Sequence, residues 1–494
     1  MERNKILLIH VGDFPKDNSP RDLAPPLGIV YLGSYLASHG YRVVLKDARL
    51  QDTETFFGDL QKELPDAALA GLSVMTPLVK EAIAITKFIK EKDPFMPVVW
   101  GGFHPTLFPE STLRNEYIDF IISGEGEKGL LGLTEYLFHK REAPAVPNFM
   151  YKVKGEIIKN RIEPGEDLQK IGIPAYELFD LNNYVQQFIG AEEKKLDILT
   201  SRGCHARCAF CVNSIINKTK WRSEPLEQTL RNIDNIIERY KVKAFVFIDE
   251  DFFCDLQRIK NLIPELARRK IHWSANCRVD YIREGYIDKG MLKALREAGC
   301  RELRFGFESG SQRMLNLLNK GITVEQSLSA VEKVSKEHIL ISASFMMGMP
   351  DETPDDVMRT LDLILKIYML APESTIIGPW AFRPYPGSIL FKRCAEKGMV
   401  VPISLNEWSN FYMPDNPKYN SRESYPWFSE VSLLRKVSIC TAYLYKKYLP
   451  TWLIYAIVKF HILTKCRFIY LDYFVFKCVK KSWCRLPVGS KNPA

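Results

Sequence analysis

Apolar positions along this chain change period repeatedly, and in the same order each time. Short, nearly continuous apolar runs at residues 5–9, 42–46, 69–74, 98–100 and 119–122 read as strands buried on both faces. Between them, residues 27–38, 79–90 and 129–138 carry apolar side chains at helical spacing. Strands alternating with helices through short connections predict parallel pairing in a doubly wound, Rossmann-like open sheet. Ligands of such sheets lie beyond the carboxyl ends of the strands. Those ends here carry Ser73-Val74-Met75-Thr76, Gly101-Gly102-Phe103-His104-Pro105 and Ser123-Gly124-Glu125-Gly126-Glu127.

A hairpin is expected at 149–153 and 157–162 around Lys154-Gly155, followed by an irregular segment. The alternation then restarts, with strand-like runs at 197–200, 244–248, 272–276, 302–306, 339–345 and 375–382. Six βα units in about 200 residues suit a partial (β/α)6 parallel barrel better than a closed eight-fold one. The expected class is therefore α/β. Its parts are a doubly wound domain at 1–145, a connector at 146–194, a barrel at 195–400 and a helical C-terminal region at 401–494.

The last region differs in charge. The formal net charge of +9 is modest for 494 residues, but between 431 and 485 eleven Lys and Arg face one acid, Asp472. Tyr, Trp, Phe and Leu are interleaved with them, and 443–448 and 452–460 read as two short amphipathic helices. The run at 452–458 is too short to span a bilayer. Two readings stay open: contact with an anionic membrane surface, and a helical cap on the barrel with solvated lysines. Nucleic acid is the weaker partner, since no recognised binding module accompanies the charge. Composition (46% hydrophobic, 26% charged) excludes wholesale disorder.

Eleven cysteines, an odd number, form no evident disulfide framework, and no secretory h-region follows Met1. A cytoplasmic protein, peripheral at most to the inner face of the membrane, is expected, with reduced thiols available for metal or redox chemistry. Three of the cysteines stand together as Cys204-His-Ala-Arg-Cys208-Ala-Phe-Cys211, directly after an apolar strand. Three thiolates on one loop can hold three irons of a cubane and leave the fourth open. A structural zinc site would want a fourth ligand, usually from paired C-x2-C units, and no second pair follows at that spacing. The other eight cysteines are scattered and read as small core residues.

A C-x3-C-x2-C loop after the first strand of a partial barrel resembles the radical S-adenosylmethionine (SAM) superfamily. The resemblance implies a [4Fe–4S] cluster on Cys204, Cys208 and Cys211, with SAM chelating the open iron and cleaved to a 5′-deoxyadenosyl radical. It implies Phe210 beside adenine and Asp249 and Glu250 near the SAM amino group. Arg278, at the end of the third strand, is implied in the same cofactor site. Glu308 falls at the ribose or methionine, and Gly348 and Pro350 at a turn beside adenine. Pro384-Tyr-Pro386-Gly387 ends the sixth strand. Any one of these segments is ordinary turn chemistry; their occurrence at successive strand ends carries the resemblance.

A doubly wound domain ahead of such a barrel is similar to the cobalamin-binding subfamily, which includes anaerobic Mg-protoporphyrin ester cyclases and radical SAM methylases. The resemblance implies corrin against Gly101, Gly102 and Gly124, where no Cβ intrudes. It also implies the nucleotide tail at Ser73 and Thr76, and contacts from His104 and Glu125. The loop at 11–18 lacks the Asp-x-His-x-x-Gly cobalt ligand of methionine-synthase-type domains. A scaffold that no longer binds cobalamin is the competing reading, and a nicotinamide site is weaker because no G-x-G-x-x-G follows the first strand.

The activity implied is C-methylation of an unactivated carbon. One SAM methylates the corrin, a second supplies the radical, and the substrate radical takes the methyl group. The alternatives are a radical cyclisation or rearrangement with the same cofactors, and a non-catalytic Fe–S scaffold. A small-molecule or lipid-like substrate and a reductant such as flavodoxin or ferredoxin would be the partners.

Overall fold

The computed structural model describes residues 3–15, 23–138, 142–187, 193–411 and 426–428. Two seven-stranded sheets organise them. The first contains β1 (Lys5–His10), β2 (Arg42–Asp47), β3 (Ala67–Ser73), β4 (Val98–Gly101) and β5 (Phe120–Ile122), all parallel, then β6 (Phe149–Val153) and β7 (Glu156–Lys159), both antiparallel. Its order is β2-β1-β3-β4-β5-β6-β7. The expected hairpin is present, and it extends this sheet instead of standing apart in the connector.

In the second sheet a two-residue strand, β8 (Gln186–Gln187), runs antiparallel to β9 (Lys194–Ile198) at one edge. A short ribbon of β10 (Ser201–Arg202) and β11 (Arg222–Ser223) follows. Then come β12 (Ala244–Phe247), β13 (His272–Cys277), β14 (Cys300–Glu308), β15 (Leu340–Met347) and β16 (Thr375–Ala381). Strands β9 and β12 to β16 pair in parallel, six in all, in the order β16-β15-β14-β13-β12-β9. The α/β expectation thus holds in both halves, as an open doubly wound sheet and a partial barrel.

The strands form where the apolar runs predict them, because parallel strands covered by helices must be apolar on both faces. Ile6, Leu7, Leu8 and Ile9 of β1 are all buried. The helices show explicit end signals. Thr323 and Thr353 each open a helix with a reciprocal capping box. Asp52, Asp255 and Asp288 cap three others by accepting a backbone N–H. A helix after β16, Leu405–Phe411, returns to the first sheet, where Trp408 is buried against Phe108 and His104. The two amphipathic helices expected in the tail lie outside the described residues. Among the described residues no helix is long and apolar enough to cross a membrane.

Candidate active site

The three cysteines lie on the loop between β10 and β11. The loop is closed at its base by Gly203, whose φ of +90° is open to glycine. A Cβ at Gly203 would stand 2.0 Å from the carbonyl oxygen of Lys220. Gly203→Ala is therefore expected to cost about 3 kcal/mol and to lower iron uptake. Chemical denaturation and iron per chain check this, and wild-type values for both would show that the loop base can widen.

The far side of the loop is pinned to the barrel. Ala209 N donates to Leu318 O (2.8 Å), Leu390 N donates to Ala209 O (3.0 Å), and Asn319 Nδ2 donates to Arg207 O (2.9 Å). Cys208 is buried, and Cys204 and Cys211 are half-buried. Burial pushes the free Cys204 thiol up to about 12, and Asp251 adds to the shift. Asp251 lies 3.5 Å from Cys204 Sγ, accepts one hydrogen bond from Tyr281 Oη, which stands 3.1 Å from each carboxylate oxygen, and lies 2.9 Å from His205 Nδ1. It is placed to take the Cys204 proton when the thiolate forms. Two cations face Cys208 from the barrel, Arg278 and Lys320, and both are held charged above their ordinary range. For each, burial opposes the charge and is outweighed by several partners together, led by Asp280 for Arg278 and Glu308 for Lys320.

Donor atoms of Cys204, His205 and Asp251 lie within 4.8 Å of one another, close enough for a single ion, whereas Cys208 and Cys211 stand outside that group. Sulfurs bound to separate irons of a cubane are further apart than donors on one ion. Three thiols on one pinned, partly buried loop, with two cations to offset an anionic cluster, fit a [4Fe–4S] centre with one open iron.

The other barrel residues implied by the resemblance divide by exposure. Phe210 is half-buried, with Lys320 Nζ 5.6 Å from its ring centroid. Glu308 sits at φ +66°, a strained conformation for a side-chain-bearing residue, and pairs with Lys320 at 2.7 Å. Arg278 pairs with Asp280 at 3.0 Å. Glu250 is exposed, and its carboxylate accepts from Gly203 N at 3.0 Å. Asp249 is fully buried, and its oxygens accept from Thr200 N and Oγ1 and from Ser201 Oγ, so it orders the chain leading into the cysteine loop. Gly348, at φ +80°, donates to Glu352 and accepts from Trp427 Nε1 (2.9 Å), while Pro350 is buried behind it.

On the first sheet, Ser73, Gly101 and Gly102 are part-exposed and Gly124 is open, with nothing near its missing Cβ. A Cβ at Gly102 (φ +95°) would stand 2.9 Å from Val74 N and O. Beside them the apolar side chains of Met75 and Phe103 are exposed. Thr76 and His104 lie beneath this surface, hydrogen-bonded to each other at 3.3 Å. Burial drops His104 to about 3, so it stays neutral. Glu125 turns toward the barrel and binds arginines there. The two faces converge at Gly387, after β16, where Leu107 of the first domain and Ile215 behind the cysteines both stand within 3.3 Å of the position a Cβ would take. A flat macrocycle between the carboxyl ends of the two sheets would meet glycine and apolar side chains on one side and the cysteine loop on the other.

Behind the loop a small cavity is lined by Tyr31, Thr200, Arg202, Glu224 and Gln228 among others. Glu224, buried, accepts from Gln228 Nε2 at 2.9 Å, and desolvation pushes it up to about 8, against the opposing effects of Gln228, Arg258 and Arg202 and aided by Asp249. Folding therefore favours its protonated form. Its contribution is full below about 4.5 and is lost as pH rises through about 8. Glu224→Gln should flatten the fall in stability between pH 5 and 9, by at most about 4 kcal/mol. Urea midpoints across that range check the expectation, and parallel profiles for variant and wild type would refute it.

Sequence comparison places this geometry in a known class. Residues 198–364 match the radical SAM superfamily and residues 18–134 match the B12 binding domain. This is a radical SAM enzyme with a B12-binding domain ahead of its barrel, and its cofactors are a [4Fe–4S] cluster, SAM and cobalamin. Among its relatives, an uncharacterized methyltransferase of Pyrococcus horikoshii is 28% identical over 78% of this chain and 82% of its own length. The anaerobic magnesium-protoporphyrin IX monomethyl ester cyclase of Rubrivivax gelatinosus is 27% identical over 79% of this chain and 69% of its own. The cobalamin-dependent SAM radical enzyme OxsB, solved with aqua-cobalamin and SAM bound, superposes with a TM-score of 0.62 at 25% identity. That match covers 73% of this chain, which spans about half (51%) of the OxsB chain.

Proposed function

We propose that this enzyme transfers a methyl group to an unactivated carbon of a small or lipid-like organic substrate held between its two sheets. The approach of Leu107 of the first domain and Ile215, just after the cysteines, to Gly387 carries this reading, because it brings the edges of the two cofactor sites together. When bound, the cluster and SAM supply a hydrogen-abstracting deoxyadenosyl radical and the corrin supplies the methyl group.

The residues of the chain do the rest. Cys204, Cys208 and Cys211 hold the cluster, while Arg278 and Lys320 balance its charge. Phe210 and Glu308 border the SAM site, with Glu250 at the loop base. Ser73, Gly101, Gly102 and Gly124 face the corrin, and Met75, Phe103, Leu107 and Ile215 offer apolar side chains beside it. Thr76 and His104 support that face from below. A flavodoxin or ferredoxin would supply the electron.

Anaerobic enzyme reconstituted with iron, sulfide and hydroxocobalamin, given SAM and a reductant, tests the reading by product mass. A gain of one methyl unit supports it. A new product without that gain, either isomeric with the substrate or poorer in hydrogen, supports the second reading, rearrangement or ring formation, which the cyclase relative favours. The basic, aromatic composition of 431–485 motivates the lipid-like substrate and contact with the inner membrane surface. Binding to anionic vesicles that is unchanged by removal of those residues would remove that part of the proposal.

A further inference from the structure

The cysteine loop leaves and rejoins the barrel through β10 and β11, which pair with Arg202 opposite Arg222. Both arginines cross to the first domain and grip one carboxylate. Arg202 Nη1 lies 3.0 Å from Glu125 Oε2 and 2.8 Å from Glu127 Oε1, and Arg222 Nη2 binds Glu125 Oε1. Arg222 Nη1 also donates to Glu166 O at 2.8 Å. Gly165 completes the seat, since a Cβ there would come within 2.4 Å of the Glu125 carboxylate.

Four features make this more than a surface ion pair. Two cations meet two carboxylates, so the cluster is charge-balanced. Glu127 is 3% exposed and Arg202 16%, which removes most solvent screening. Arg202 also lies over the Tyr31 ring at 5.1 Å, and Tyr31 Oη donates to Leu199 O at 3.0 Å. Finally, the two arginines hold Glu125 by both of its oxygens, one on each, so its carboxylate is gripped from two sides. Glu125 follows Gly124, the open glycine of the corrin face, and Arg202 stands two residues before Cys204.

We propose that Glu125, Arg202 and Arg222 are positioning residues that fix the spacing of the cysteine loop from the corrin face, and that Glu125 does not itself contact corrin. The proposal rests on the cofactor placement given above. Its first test needs no cofactor: amide exchange across 203–221 in the apoprotein should be roughly tenfold or more faster in E125Q and R202K than in wild type. The second uses reconstituted enzyme, reduced so that cluster and cob(II)alamin are both paramagnetic. Their dipolar coupling should broaden or shift in E125Q and R202K at wild-type iron and corrin content, and recover in part in E125D. R222K keeps every charge and carries the same test if E125Q does not fold. Corrin loss in E125Q, with wild-type exchange and coupling in both arginine variants, would overturn the proposal in favour of direct corrin contact. Unchanged exchange and coupling in all variants would overturn it outright. A wild type that takes up no iron or corrin would instead sink the cofactor placement, and the exchange result would still judge the clasp.

Discussion

Replacing Cys204, Cys208 and Cys211 together by alanine is expected to reduce bound iron to background and to lower deoxyadenosine release from SAM by at least about 10³-fold. The expectation follows from the donor set. The three thiols share one loop, and among the described residues the donors beside them include His205 and Asp251, with Cys254 Sγ 3.6 Å from His205 Nδ1. This mixed set does not replace three cluster thiolates on one loop. The fold should survive, because the loop is anchored by the backbone bonds of Ala209 and by the Asn319 side-chain amide, which the substitutions leave intact. Far-ultraviolet circular dichroism, iron per chain and anaerobic SAM cleavage measure the three parts of this expectation. A variant that still held about four irons and cleaved SAM would place the cluster elsewhere. A variant that kept one metal ion would point to a mononuclear site at His205 and Asp251.

The second large effect is expected at Lys320. Its ammonium is almost wholly covered (12% exposed), pairs with Glu308 (9% exposed) at 2.7 Å and lies over the Phe210 ring. Lys320→Met preserves the apolar stem but leaves a buried carboxylate without its cation. Breaking such a pair costs about 3–5 kcal/mol, mostly as the penalty on the orphaned charge. Adding Glu308→Gln should restore part of the loss, because the two substitutions act on one interaction. Urea unfolding of the apoprotein reads this free of cofactor effects. A loss below about 0.5 kcal/mol would show that Glu308 relaxes to solvent.

Much of this protein was legible from periodicity and spacing. Most parallel strands fall on an apolar run, since burial on both faces leaves few other choices, although β9 begins at Lys194, ahead of the run expected at 197–200, and ends at Ile198. The cysteine loop was legible for a similar reason, because three ligands of one cluster from a single loop need fixed local spacing. The strand-end glycines were legible as breaks in the apolar pattern, and the structure leaves Gly124 open. Other residues singled out with them have different surroundings. Asp249 spends its oxygens on Thr200 and Ser201, His104 is sealed under Trp408, and Glu125 faces arginines rather than open space. In each case the residue stands at the expected strand end, but the direction of its side chain depends on what packs there.

The sequence by itself therefore determined the order of elements, the two-part α/β architecture and the loop that carries the chemistry. These depend on residues close together in the chain, whose periodicity and turn chemistry are local properties. Only the tertiary structure decided which charges meet. Glu125 and its arginines are 77 and 97 residues apart, and Asp251 is 47 from Cys204. Lys320 follows its own helix and reaches back to Glu308. No local pattern marks such pairs, because a lone Lys or Glu reads as a solvated surface residue until two packed sheets exclude water around it.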